Sequence, residues 1–233
     1  MIDQIVRAVV KSHPEIVPFL KGKARWIGCA TQQAEYKTYD FFLHAFERLV
    51  INTYNGLIAG DFIDVVANLI SGQLYDAYER AWMDDGNDLP LPYFLQQAAD
   101  NDILIQYDFV DQFYRDIVDA RIDKTPIAPL LQRVQLWANR YNESYNNGVH
   151  LIELQMGGKE VWRLGRTEKH CPECEKLNGV VAYAVEWEQS GYEPQNAPNL
   201  KLTCGGWKCD CSKEPTTERL TRKSQRYAKL GIR

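Results

Sequence analysis

Five of the six cysteines in this 233-residue chain fall within one short stretch, as Cys171, Cys174, Cys204, Cys209 and Cys211. They read C-P-E-C, a long gap, then C-x4-C-x-C. Thiols this dense cross-link or oxidise unless something holds them, and a metal ion is the simplest holder. Zinc takes four soft or borderline ligands in a tetrahedron, with Zn–S near ~2.3 Å. Cys171-Pro172-Glu173-Cys174 turns two thiolates toward one ion, and the downstream cluster offers three more. Cys209 and Cys211 lie two apart, so in an extended segment they point the same way. The set Cys171, Cys174, Cys204 and Cys209 is expected to hold the ion, with Cys211 as the main substitute. His170 adjoins Cys171, which makes simultaneous ligation awkward. Ligand type alone does not separate iron from zinc in such a site.

Disulfides are the competing explanation, and they need an oxidising compartment. The start of the chain, Met1-Ile2-Asp3-Gln4 with a His13-Pro14-Glu15 break, does not read as a secretory leader. A redox C-x2-C belongs at the start of a helix after a strand, and no such context is evident here. No apolar run approaches the ~20 residues of a membrane span, so no membrane partner is expected.

The first two thirds read as helices. Tyr39, Leu43, Phe46, Val50 and Tyr54 recur at helical spacing, with Gly56 and Gly60 after them. Asp61 suits the N-cap of a second helix, with Ile70, Leu74, Ala77 and Ala81 as its stripe, ending near Asp85-Gly86. Phe109, Phe113, Ile117 and Ala120 mark a third, ended before Thr125-Pro126. Pro129 suits the first turn of a fourth. Leu130, Val134, Trp137, Tyr141 and Tyr145 line that helix, and Asn147-Gly148 closes it. Residues 4–12 and 93–99 add short helices. The aromatic stripes read as core, not as a ligand pocket. Cys29 and His44 are isolated and carry no assigned chemistry.

Beyond Gly148 the pattern changes. Val149 to Met156, Gly157-Gly158 and Glu160 to Leu164 read as a β-hairpin, because paired glycines permit the positive φ that hairpin turns demand. Val180 to Val185 reads as a further strand. The expected class is therefore α+β: a mainly helical N-terminal body followed by a small β-hairpin module with a Cys-ligated metal site. The boundaries are 1–148 for the helical domain, 149–215 for the zinc-stapled β module and 216–233 for a basic tail. So small a unit needs a staple, and metal binding supplies folding free energy to such units.

Charge is uneven. The formal net charge is -4. The stretch from Asp84 to Asp123 is rich in Asp, whereas the tail carries Arg219, Arg222, Lys223, Arg226, Lys229 and Arg233 against Glu218 alone.

From Trp137 onward the chain resembles the C-terminal region of phage minor head proteins, the Mu F-type head morphogenesis family. The residues that carry the resemblance are Glu143, Asn147-Gly148, Trp162, the run Cys171-Pro172-Glu173-Cys174-Glu175-Lys176-Leu177-Asn178-Gly179, then Trp187, Pro194, Pro198 and Cys204 through Pro215. The family often ends in a His-Pro-x-Cys-Arg-Cys element. Here Cys204 stands in place of that His, and Asp210 replaces the Arg. The resemblance implies a structural, non-enzymatic minor component of a tailed-phage head. It would be assembled in the bacterial cytoplasm and carried in the virion near the portal vertex, acting in head assembly or DNA delivery. Portal or major capsid proteins are the implied partners, and the basic tail is placed to touch packaged DNA.

Two other classes fit the residues less well. A nuclease needs a His at a metal-bound phosphate site with a second polar partner. His150, at the module's start, and His170, beside Cys171, stand in no recognisable catalytic spacing. A zinc-ribbon nucleic-acid binder usually has two matched C-x2-C knuckles and a basic face. This chain has C-x4-C-x-C, with Glu186, Glu188 and Glu193 nearby.

Overall fold

A computed structural model describes residues 34–58, 61–206 and 209–232, with side chains from Tyr39 onward. The expected helix at 4–12, Cys29 and Gly60 lie outside the described residues. The chain is mostly helical with a small antiparallel sheet. Four long helices come first: α1 (Ala34–Tyr54), α2 (Phe62–Asp84), α3 (Tyr93–Ile122) and α4 (Ala128–Met156). Then follow β1 (Lys159–Arg163), α5 (Pro172–Leu177), β2 (Val181–Tyr183), α6 (Ala184–Ser190), β3 (Ser212–Pro215) and α7 (Lys223–Leu230). No helix among the described residues is long and apolar enough to cross a membrane.

The described residues divide into two compact units, not at 148 and 215. One holds those up to Asp76 with Ala99–Tyr141, the other Ala77–Ala98 with Asn142 onward. In the first unit the helical stripes meet as a ring cluster. Phe113 lies 4.8 Å from Trp137 and 5.7 Å from Phe46, both edge-on, and Phe46 lies 5.3 Å from Trp137. Such pairs add to the burial of the rings themselves. The Trp137 indole N–H donates to Gln106 Oε1 at 3.1 Å, and the Gln73 amide donates to the Ala138 carbonyl at 2.9 Å. These bonds satisfy polar groups that would otherwise be costly to bury. Phe109, expected on the core face, is 55% exposed. The inward stripe of α3 is Ile103, Gln106, Val110, Phe113 and Ile117. Residues 93–99 are no separate helix but the start of α3.

In the second unit the expected hairpin strand 149–156 is corrected. Those residues are the last two turns of α4, which runs through Asn147-Gly148 without a break. Gly148 is there for close approach rather than for a turn. A Cβ at that position would stand 2.9 Å from Ala81 Cβ and 3.1 Å from Tyr78 Cδ1. The helix stops instead at Gly157, whose φ is +65° and which L-residues with a Cβ adopt only under strain. Gly148→Val is expected to destabilise the protein by about 1–3 kcal/mol through overpacking. A urea titration measures it, and an unchanged midpoint would argue against close packing here.

The sheet has the order β2-β1-β3, antiparallel throughout. β1 is central, pairing Val161 with Val181 on one side and with Glu214 on the other. That explains why Glu160, Val161 and Trp162 are all buried. The strand read at 180–185 covers only Val181–Tyr183, and the chain turns there into α6. The described part of the basic tail, residues 216–232, packs back onto the module. Leu230 is buried in the core cluster that also holds Trp162 and Trp187, with Ile232 packed against it.

Candidate metal centre

The core under the cysteines is built from both ends of the module. Trp162 of β1 and Trp187 of α6 are fully buried with ring centroids 5.7 Å apart. The Trp187 indole N–H donates to the Glu160 carbonyl at 3.1 Å. Leu177, Val180, Ala182, Leu202 and Leu230 fill the space around them, and Cys174 and Cys211 sit in the same cluster. The thiols are therefore part of the core and not a surface appendage.

The first knuckle is a helix start. Cys171 is the extended residue before α5, with φ -71° and ψ 155°, and Pro172 follows in the first turn. Proline suits that position because its missing N–H has no intrahelical partner there anyway. One helical turn then brings Cys174 Sγ to 3.3 Å from Cys171 Sγ, far beyond the ~2.05 Å of a disulfide. The structure brings all five expected cysteines together. Sγ atoms of Cys171, Cys174 and Cys204 lie within 4.8 Å of one another, as do those of Cys174, Cys209 and Cys211. A tetrahedron of ~2.3 Å Zn–S bonds has S···S edges of about 3.8 Å, so the spacing fits. Cys174 belongs to both groups. His170 stands beside them, its Nδ1 3.6 Å from Cys211 Sγ. The cluster can hold a metal ion, and all five thiols are free of disulfides.

Without a cation the thiols compete for protons. The hydrogen bonds that Cys174 makes with Cys209 and Cys211, with burial, push its thiol far up. Hydrogen bonds from Cys174 and Cys209 hold Cys211 down to about 3, helped by the Gly165 N–H. Burial pushes Cys204 up to about 11, against the Gly206 N–H that bonds its sulfur. Cys211 is thus held as a thiolate while Cys174 and Cys204 keep their protons. A divalent ion lifts this conflict, since metal ligation deprotonates thiols outright.

Two carboxylates hold the knuckles in register. Glu173, inside C-P-E-C, accepts from the Thr203 N–H at 2.9 Å and from its hydroxyl at 3.0 Å. Asp210, between Cys209 and Cys211, accepts from the Thr167 N–H and hydroxyl, both at 2.8 Å. Thr203 precedes Cys204, so each acid ties its own thiols to the other side of the site. The Thr203 backbone bond draws Glu173 below the usual carboxylate range. Burial pushes Asp210 up, but the Thr167 bonds outweigh it and leave the group low. Sequence reading placed the thiols but missed both clamps. The visible signal was an acid inside each thiol pair.

Gly165 belongs to the same arrangement. A Cβ there would overlap Asp210 at both its carboxylate and its carbonyl oxygen. Gly165→Ala must push the 165–167 loop off Asp210 and lose the N–H bond to Cys211. Loss of such outer contacts usually weakens metal affinity 10–100-fold. Competition for zinc against a chromophoric chelator measures this, and affinity equal to that of the native chain would count against the clamp.

His44 is exposed and lies 3.6 Å from Glu47. His150, also given no role from sequence, is buried between Glu160 and Glu188. No family model matches the chain, and neither a curated protein nor a solved structure does.

Proposed function

We propose that this chain is a structural minor head protein of a tailed bacteriophage, acting at or near the portal vertex in head morphogenesis or DNA delivery. The observation that carries the reading is the cysteine cluster itself. The residues of the head-protein-like run, from Cys171 to Gly179, meet the distant Cys204, Cys209 and Cys211 over a buried Trp162–Trp187 pair. That is what a stapled module needs, and it accounts for the motif as a unit.

A structural role is favoured over catalysis by ligand type and burial. Cys174 and Cys211 are each 1% exposed. A four-thiolate site is closed, whereas catalytic zinc keeps a position for water. Zinc fits such a site, and iron shares the ligand preference.

Partner chemistry follows from the surfaces. Asp108, Asp111, Asp119 and Asp123 are exposed on or just beyond α3 and offer an acidic face to a portal or capsid protein. Arg219, Arg222 and Lys223 are exposed near α7 and are free to meet packaged DNA or an acidic partner. Arg226 is committed elsewhere, to Glu186. A few such cations give weak, salt-sensitive phosphate binding.

Quantitative mass spectrometry of purified heads tests the reading. The chain should be present at a small fraction of the major capsid protein and should stay with the portal when the shell is disrupted. Absence from purified heads, with tight sequence-dependent retention of DNA on filters by the isolated protein, would replace it with a nucleic-acid-binding regulator.

A further inference from the structure

A second group of metal-ligating side chains lies outside the cysteine cluster. His150 comes from the penultimate turns of α4, Glu160 from β1, Glu188 from α6, and Glu193 from the loop that follows. One ligand atom each of His150, Glu188 and Glu193 lies within 4.8 Å of the others. The imidazole is 3% exposed. Its Nδ1 stands 2.8 Å from Glu160 Oε2, and its Nε2 stands 3.1 Å from Glu188 Oε2.

We propose that His150, Glu188 and Glu193 form a divalent transition-metal site of mixed nitrogen and oxygen ligands, separate from the cysteine cluster, with Glu160 as its positioning residue. Metal-bound histidine almost always gives its other ring N–H to a carboxylate, a backbone carbonyl or water, which sets the tautomer and turns the second nitrogen toward the ion. Glu160 does this from a fully buried position. A carboxylate with no exposure on a central strand is costly, and Glu160 Oε1 has no hydrogen-bond partner.

Charge makes the same case. Three carboxylates face the His150 ring and the Lys213 ammonium, so once the ring gives up its second proton to ligate, two negative charges remain for a divalent cation to balance. Lys213 Nζ bonds Glu193 at 2.8 Å. An ionised carboxylate has about four lone-pair sites, so Glu193 can serve both cations. One imidazole with two carboxylates suits zinc, manganese or iron(II) better than copper(I). Three protein ligands leave coordination positions to water. The Glu188 side chain is 59% exposed, and so provides the entry path.

Cobalt(II) titration of the full metal-stripped chain separates the two sites. Thiolate ligation produces an intense sulfur-to-cobalt charge-transfer band, and a histidine–carboxylate site produces only weak d–d absorption. The native chain should show a phase of each kind. Glu188→Gln, on an exposed side chain, should weaken the weak-band phase at least tenfold and leave the thiolate band intact. His150→Gln should remove the weak-band phase. A native chain with the thiolate phase alone would overturn the proposal, as would a second phase that Glu188→Gln leaves unchanged.

Discussion

Cys174→Ser is expected to strip the metal and unfold the sheet around Trp162 and Trp187 while leaving the helical core of Phe46, Phe113 and Trp137 in place. Cys174 is the one thiol in both close groups of cysteines, and it is buried in the core cluster. Serine there loses a ligand and puts a hydroxyl against Leu177 and Trp162. Structural zinc in finger peptides is worth roughly 10–16 kcal/mol of apparent folding free energy near neutral pH. Losing even a third of that exceeds the margin of a module this small. Hydrogen exchange reads the result by region. Amides of 159–183 should lose protection, including the Trp162 N–H that bonds the Val180 carbonyl at 3.2 Å. Amides of 103–138 should keep theirs, because units open separately when their cores are separate. A strong chelator should reproduce the pattern in the native chain. Full zinc content with unchanged protection in the variant would remove the basis for a metal staple.

The second large effect is expected at Arg226. Its guanidinium donates to Glu186 Oε1 at 2.9 Å, with the two side chains 8% and 9% exposed. It also donates to the Thr221 carbonyl at 2.6 Å. Glu186 in turn accepts from the Tyr183 N–H at 3.0 Å, where α6 begins. Arg226→Ala leaves that carboxylate buried without its cation, which typically costs about 3–5 kcal/mol. Replacing both partners by methionine should recover most of the loss, because no charge then remains to be desolvated. The residual deficit, about 1 kcal/mol, reflects the capping bond at Tyr183. Denaturant melts of the two variants beside the native chain measure both effects. A single variant within 0.5 kcal/mol of native, an ordinary surface value, would mean that α7 contributes little to the module.

The thiol spacing was legible because ligation depends on residue type and short separations. The helical stripes were legible for the same reason: Ile70, Leu74, Ala77 and Ala81 lie on the inward face that their period implies. The failures came where one residue type serves two purposes. Gly148 was read as a helix stop, but a glycine also lets two helices touch, and only the position of Ala81 and Tyr78 decides between these uses. The basic residues after Pro215 read from sequence as one tail placed to touch DNA, although Arg226 is buried against an acid forty positions earlier. Thr167 and Thr203 carry no local signal at all. Their roles come from carboxylates 43 and 30 residues away, and such pairings are invisible to any pattern of neighbours. His150 illustrates the same limit. Its partners come from a strand, a helix and a loop.

The strand order has a consequence for synthesis on the ribosome. β1 emerges early and finds β2 some twenty positions later, yet its other edge waits for β3 at Ser212–Pro215. Three of the five clustered sulfurs, those of Cys204, Cys209 and Cys211, also arrive late. The nascent half-sheet therefore carries an open edge, an unmetallated knuckle and two uncovered indoles until translation is nearly finished. Unpaired edges and exposed apolar surface are what promote aggregation of partly made chains. Slow elongation between codons 183 and 211 should lower soluble yield more than slow elongation earlier, and holding chaperones would find their substrate in that interval.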